Sequence, residues 1–95
     1  MTHRIPEENR GELLKEQNIQ IGELQLRFSL HQNYLVSENR SAYSLTVTGI
    51  LDGETETVCA RDVTSLRDTA LTLFDTVSRA EVTPCTLFDV LEELL

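Results

Sequence analysis

The stretch Val82–Leu95 reads V-T-P-C-T-L-F-D-V-L-E-E-L-L and decides how the rest of the chain must fold. Thr83 is predicted to cap a helix, because a threonine hydroxyl there accepts a hydrogen bond from a free amide of the first turn. Pro84 falls at the first helical position, where its missing N–H costs nothing. Apolar residues follow at helical spacing on one face, and other elements must bury them: Leu87, Val90, Leu91 and Leu94.

A second helix is predicted immediately before this stretch. It begins within Thr64–Asp68, where Ser65 and Asp68 have the spacing of a capping box. The helix is expected to stop near Ala80–Glu81, and the short link to Val82–Leu95 makes the two helices neighbours in space. Its apolar face comprises Leu66, Ala70, Leu73, Phe74 and Val77.

Three strands are predicted upstream of the helices. Residues 24–31 and 43–48 alternate apolar and polar side chains, which is the period of a strand with one buried face. Gly22 marks a bulge or the start of the first strand. Asp52-Gly53 predicts a tight hairpin turn, and Glu56–Val63 a weaker third strand that suits an edge. The predicted fold is α+β, a three-stranded antiparallel meander followed by two C-terminal helices packed on one face.

The domain organisation follows from these elements. Residues 1–18 are predicted to be a flexible polar leader, with a helix-start pattern at Pro6–Glu8, and residues 19–95 a single α+β domain. The predicted core consists of Leu26, Phe28, Leu30, Tyr43, Leu45, Val47, Leu66, Ala70, Phe74, Val77, Leu87, Val90, Leu91 and Leu94.

Charge and cysteine usage limit the kinds of partner. The chain has a net charge of −8, and residues 52–95 carry ten acidic but only three basic side chains. An acidic surface repels phosphates, so we expect no nucleic-acid and no membrane partner. The polar start shows no secretory segment, and Cys59 and Cys85 form no C-x-x-C pattern. We therefore expect a cytoplasmic protein with two buried, reduced thiols, a disulfide being the less favoured alternative.

The last third of the chain resembles a family of small bacterial proteins built on a domain of unknown function. The family signature reads V-[ST]-P-x-x-L-x-D-V-[VL]-E-[DE]-[FL]-[LI], and Val82-Thr83-Pro84, Leu87, Asp89–Glu93 and Leu94-Leu95 match it. Asp62–Ser65 matches the helix start that precedes this signature, whereas Thr86 stands where relatives often carry a histidine. The resemblance implies a single cytoplasmic domain, and it supplies no function and no catalytic residues to carry over.

Four acidic residues are candidates for an interaction surface. Asp89, Glu92 and Glu93 lie together on the last predicted helix, where they suit a solvated face, a partner's lysines or a divalent cation. Asp62 precedes a helix N-terminus, so its carboxylate is expected to cap that helix or to form a polar recognition site. His3 and His31 have no ligands at metal spacing, and Cys85 has no base nearby in sequence. We therefore predict no catalytic, cofactor-binding or metal-binding residues.

Two functional classes remain. The favoured one is a non-enzymatic protein-interaction module that binds an unknown protein partner or forms a homodimer through a sheet edge. The alternative is a small-ligand-binding protein or minor enzyme, with its site at the strand–helix junction near Asp62, Thr64 and Cys85.

Overall fold

The computed structural model describes residues 11–95, which form one antiparallel sheet followed by two helices. The strands are β1 (Glu12–Ile21), β2 (Leu24–Leu35), β3 (Arg40–Leu51) and β4 (Glu54–Thr64), and the helices are α1 (Arg67–Arg79) and α2 (Leu87–Leu94). Single 3₁₀ turns, Val36–Glu38 and Pro84–Thr86, precede β3 and α2. The strands pair in the order β1-β2-β3-β4. The α+β fold is therefore confirmed, but the sheet has four strands where three were predicted.

The additional strand lies in the predicted leader. Residues 12–18 belong to β1 and pair with β2, so the prediction of a flexible segment is wrong for them. The strand lacks apolar alternation because its inward face carries Lys15, whose Nζ lies 5.4 Å from the ring centroid of Phe74. The same Nζ lies 3.7 Å from Asp75 Oδ1. The helix-start pattern at Pro6–Glu8 and His3 fall outside the described residues.

Two-residue turns join the outer strand pairs. Gly22 has φ of 60° and forms the β1–β2 turn with Glu23, so it marks neither a bulge nor a strand start. Asp52 and Gly53 have φ of 54° and 79°, the left-handed conformation at both positions that a tight antiparallel hairpin requires. This confirms the predicted turn between β3 and β4.

Both helices pack on the same face of the sheet and enclose the core between the layers. Most of the predicted core residues are buried, and four further apolar residues are buried as well: Ala42, Ala60, Leu73 and Val82. Two predictions are wrong, because Leu66 is 63% exposed and Leu94 is 43% exposed. Leu66 precedes the first turn of α1, and Leu94 closes α2, so both lie at the margins of the packed layers. Val90 is only partly buried.

A close approach of backbone and side chain positions the start of α2. Pro84 is buried against Gly49 of β3, where a Cβ atom would lie 3.3 Å from Pro84 Cδ. Glycine at this point of β3 therefore lets the 3₁₀ turn reach the sheet. Thr83 is extended and Pro84 takes the first helical position, as predicted, while the Thr83 amide donates to Thr86 Oγ1 over 3.2 Å.

The start of α1 differs from the prediction. The helix begins at Arg67, and Leu66 occupies the capping position without a side-chain cap, so the Ser65–Asp68 capping box is wrong. The Leu66 amide instead donates to Thr64 Oγ1 over 3.1 Å. None of the helices within residues 11–95 has the length and apolar character that crossing a membrane requires.

Candidate protein-interaction surface

Asp62 lies at an irregularity of the sheet and not at a helix cap. The β3–β4 pairing runs regularly from Leu51↔Glu54 to Leu45↔Ala60 and resumes only at Tyr43↔Thr64. The intervening residues of β4 form a bulge in which Asp62 has φ of 52°, a conformation that aspartate tolerates better than most residues. Its amide donates to Ser44 Oγ over 3.2 Å, which anchors the bulge to β3.

The Asp62 carboxylate is occupied by an arginine. Arg40 Nη1 donates to Asp62 Oδ1 over 3.0 Å and Nη2 to Oδ2 over 2.7 Å, a bidentate pair. Arg40 Nε also donates to Glu38 Oε1 over 2.7 Å. The two hydrogen bonds that Arg40 donates to Asp62 hold the pKa of that carboxyl below its ordinary value, and the hydrogen bonds that Asp62 and then Glu38 accept raise the pKa of Arg40 above its own. Asp62 therefore ties β4 to β3, and the capping interpretation is wrong.

The structure separates Asp62 and Thr64 from Cys85. Cys85 lines a cleft with Glu54, Thr55 and Glu56 at the beginning of β4, whereas Asp62 and Thr64 lie at its end. Asp62 lies six positions after Glu56 along β4, which corresponds to about 20 Å of strand. Because α1 runs back across the sheet, the two helices begin at opposite ends of β4. The predicted composite site at Asp62, Thr64 and Cys85 is therefore not assembled.

Both thiols are free and exposed, which corrects the prediction that they are buried. Cys59 is paired with Thr46, on the sheet face opposite the helices. Cys85 Sγ lies 3.5 Å from Thr83 Oγ1. Within residues 11–95, no three histidine, cysteine or acidic side chains converge as a metal site would require. His31 is half-buried on the outward face of β2.

The three acidic candidates on α2 point away from the sheet. Asp89, Glu92 and Glu93 are exposed, and no ion pair engages them within the described part of the chain. Phe88 and Leu95, seven residues apart on one side of this last segment, are 56% and 67% exposed. Aromatic side chains are enriched at protein interfaces, and the rim of an interface is polar.

A second group of carboxylates lies on β4. Glu54 and Glu56 share the inward face with Val58 and Ala60, but they extend past the helices and stay exposed. They line an open cleft of about 640 Å³ whose other walls include Leu24, Leu51 and Thr83–Cys85. Sequence reasoning missed this pair, although two glutamates spaced by two after a hairpin turn are a usable signal for one strand face.

We call the exposed carboxylates of these two elements the acidic surface: Glu54, Glu56, Asp89, Glu92 and Glu93. The two groups adjoin through the Pro84–Thr86 turn, which packs against β4 and leads directly into α2. The acidic surface keeps Asp89, Glu92 and Glu93 of the predicted interaction surface and adds Glu54 and Glu56. Asp62 is not included because its carboxylate is paired with Arg40.

Comparison with protein-family models, with curated proteins and with solved structures finds no match to this chain. The resemblance of Val82–Leu95 to small bacterial proteins therefore stays a prediction.

Proposed function

We propose that this chain is a non-enzymatic protein-interaction module of the cytoplasm that binds a protein partner of basic surface. The observation that carries the proposal is the acidic surface, whose five carboxylates have no cation within residues 11–95. The remaining acids near basic groups are already engaged, as Asp62 is by Arg40 and Asp75 by Lys15. A basic partner surface is attracted to these carboxylates during diffusional encounter, whereas proteins with acidic surfaces are repelled.

The exposed apolar side chains beside these acids support the same proposal. Phe88 and Leu95 flank Glu92 on one side of α2, so an interface there has an apolar centre and a charged rim. Aromatic anchors of this kind contribute most of the binding energy in many interfaces. Homodimerisation through a sheet edge is the alternative, and the acidic surface opposes it where two copies bring carboxylates together.

The test begins with capture of a partner from an extract of the source cells, followed by its purification. Binding of the purified partner is then measured by calorimetry against wild type and Glu92→Lys/Glu93→Lys. The matched control is Glu12→Lys/Glu23→Lys, which makes the same charge change on exposed glutamates of β1 and the first turn.

We expect the first variant to weaken binding at least tenfold, the control to change it less than threefold, and 300 mM NaCl to weaken wild-type binding. Equal effects of the two variants would contradict the proposal, as would the absence of any stoichiometric partner. A ligand screen by thermal shift then tests small-molecule binding in the cleft beside Cys85.

A further inference from the structure

We infer that the free edge of β4 accepts an extended, basic segment of the partner as a fifth strand of the sheet. The inference rests on the proposed function and names the surface and the partner's chemistry. β4 pairs only with β3 among the described residues, so the N–H and C=O groups of alternate residues point away from the sheet. An extended peptide pairs with such an edge through main-chain hydrogen bonds.

The geometry of β4 suits strand addition. Glu54–Ala60 pairs with β3 without interruption, contains no proline or glycine, and is rich in residues that favour strands, such as Thr55, Thr57 and Val58. The bulge that twists an edge away from new partners comes only at residues 61–63. Seven regular residues offer outward-facing groups to three or four residues of an added strand.

The other edge is less suitable. The β1–β2 register shifts between Leu13 and Lys15, so a bulge interrupts the first half of β1. Its charges are mixed, with Glu12 and Glu16 beside Lys15, and the lysine is already placed over Phe74. Mixed charges on an edge give no preference for one sign of partner and protect natural sheets from unwanted pairing.

Charge complementarity selects the occupant of the β4 edge. Glu54 and Glu56 lie on one face at the spacing of alternate strand residues, so they face every second side chain of an added strand. That face opens on the 640 Å³ cleft, which has room for long side chains. Lysine or arginine at alternate positions satisfies both carboxylates, whereas residues 54–60 of a second copy supply no cation to either of them.

The probe is the peptide Lys-Val-Lys-Thr-Lys-Val-Lys with blocked ends, together with a control in which every Lys is Glu. Two further versions carry N-methyl groups on the even-numbered or on the odd-numbered residues. Only one of these sets faces β4 in a paired strand, so we expect one methylated version to lose binding and the other to retain it. The acidic control is expected not to bind, and the amide shifts of ¹⁵N-labelled wild type should move along residues 54–60.

Variants of the chain test how much the carboxylates of Glu54 and Glu56 contribute to peptide binding. Glu54→Gln/Glu56→Gln is expected to weaken peptide binding about twofold to thirtyfold, the range for two exposed ion pairs. Glu12→Gln/Glu23→Gln makes the same charge change away from β4 and is expected to have less than a twofold effect. The methylation comparison uses the wild-type chain, so it remains decisive if a variant folds poorly.

The inference is overturned if both methylated versions bind equally, or if the acidic peptide binds as tightly as the lysine peptide. It is also overturned if the peptide shifts amides of β1 or α2 and not those of β4. If the peptide does not bind, but binding of a purified partner still depends on Glu92 and Glu93, strand addition is excluded. The proposed function stands in that case. If the peptide pairs with β4 but no partner is found whose binding depends on Glu92 and Glu93, strand addition stands and the proposed function fails.

Discussion

Asp62 and Asp52 are the same residue type in nearly the same backbone conformation, with φ of 52° and 54°. Their surroundings differ, because Asp62 is held by a bidentate arginine and Asp52 sits in an exposed turn. A carboxylate whose pKa is lowered in the folded state stabilises that state above its unfolded pKa. This contribution is lost as the pH falls through the lower, folded pKa.

We therefore predict that Asp62→Asn lowers the melting temperature by a few degrees at pH 6–7, and that the difference from wild type shrinks below about pH 4. Asparagine also tolerates positive φ, so the bulge keeps its shape. Thermal unfolding followed by circular dichroism between pH 2.5 and 7 measures both effects. Asp52→Asn is the control and should track wild type throughout. A difference for Asp62→Asn that stays constant down to pH 2.5 would exclude the ion pair as its cause.

At the scale of elements, the two edge strands are held by hydrogen bonds on one side only among residues 11–95. β1 pairs with β2, and β4 with β3, while β2 and β3 each have neighbours on both sides. Hydrogen exchange reports this difference because paired amides are protected and outward-facing amides are not.

We predict alternating fast and slow amide exchange along residues 15–21 and 54–60, and continuous protection along the centres of β2 and β3. Nuclear magnetic resonance of the native chain in deuterated buffer measures these rates. Uniformly fast amide exchange over residues 15–18 would contradict β1 pairing there and would support the predicted flexible leader.

The helix α2 offers a matched pair of leucines on one predicted face. Leu91 is buried in the core, whereas Leu94 is 43% exposed one turn further on. We predict that Leu91→Ala costs about 2–5 kcal/mol of unfolding free energy, because it leaves a cavity. Leu94→Ala is expected to cost less than about 1 kcal/mol. Urea denaturation of both variants checks this, and equal costs would mean that the end of α2 is packed as the periodicity suggests.

The whole molecule is an acidic, two-layer fold with helices on one sheet face. Described residues leave the opposite face uncovered, and its side chains are mainly polar, for example Thr48 and Thr57, whose hydroxyls lie 3.1 Å apart. A polar open face is ordinary for an antiparallel sheet and gives no drive for a second copy to stack there. A net charge of −8 also opposes self-association.

We therefore predict that the 10.8 kDa chain is a monomer at pH 7.5 up to about 100 µM. Association should appear as the pH approaches the sequence pI of 4.6, where the net charge vanishes. Sedimentation equilibrium at several pH values tests this expectation. A stable dimer at pH 7.5 would favour homodimerisation through a sheet edge over a separate partner.

Local patterns were sufficient to predict most elements of this protein. Alternation identified β2 and β3, Asp52-Gly53 identified the hairpin turn, and Thr83-Pro84 the start of the last helical segment, because each depends on residues adjacent in the chain. The acids of α2 were predicted to lie together on the last helix for the same reason, as a solvated face or as a surface for a partner's lysines or a divalent cation. β1 escaped prediction because its inward face carries the polar side chains of Lys15 and Gln17, so apolar residues do not alternate along its first half.

Only the tertiary structure decided which residues meet. Arg40 of β3 reaches Asp62 of the neighbouring strand β4, so a carboxylate predicted to cap a helix instead closes a bulge. Glu56 and Cys85 line the same cleft, and Asp62 lies far from it, because α1 carries the chain back from the end of β4 toward its beginning. These pairings depend on register and helix direction, which link residues about 20 or more positions apart. Periodicity within a single segment carries no information about them.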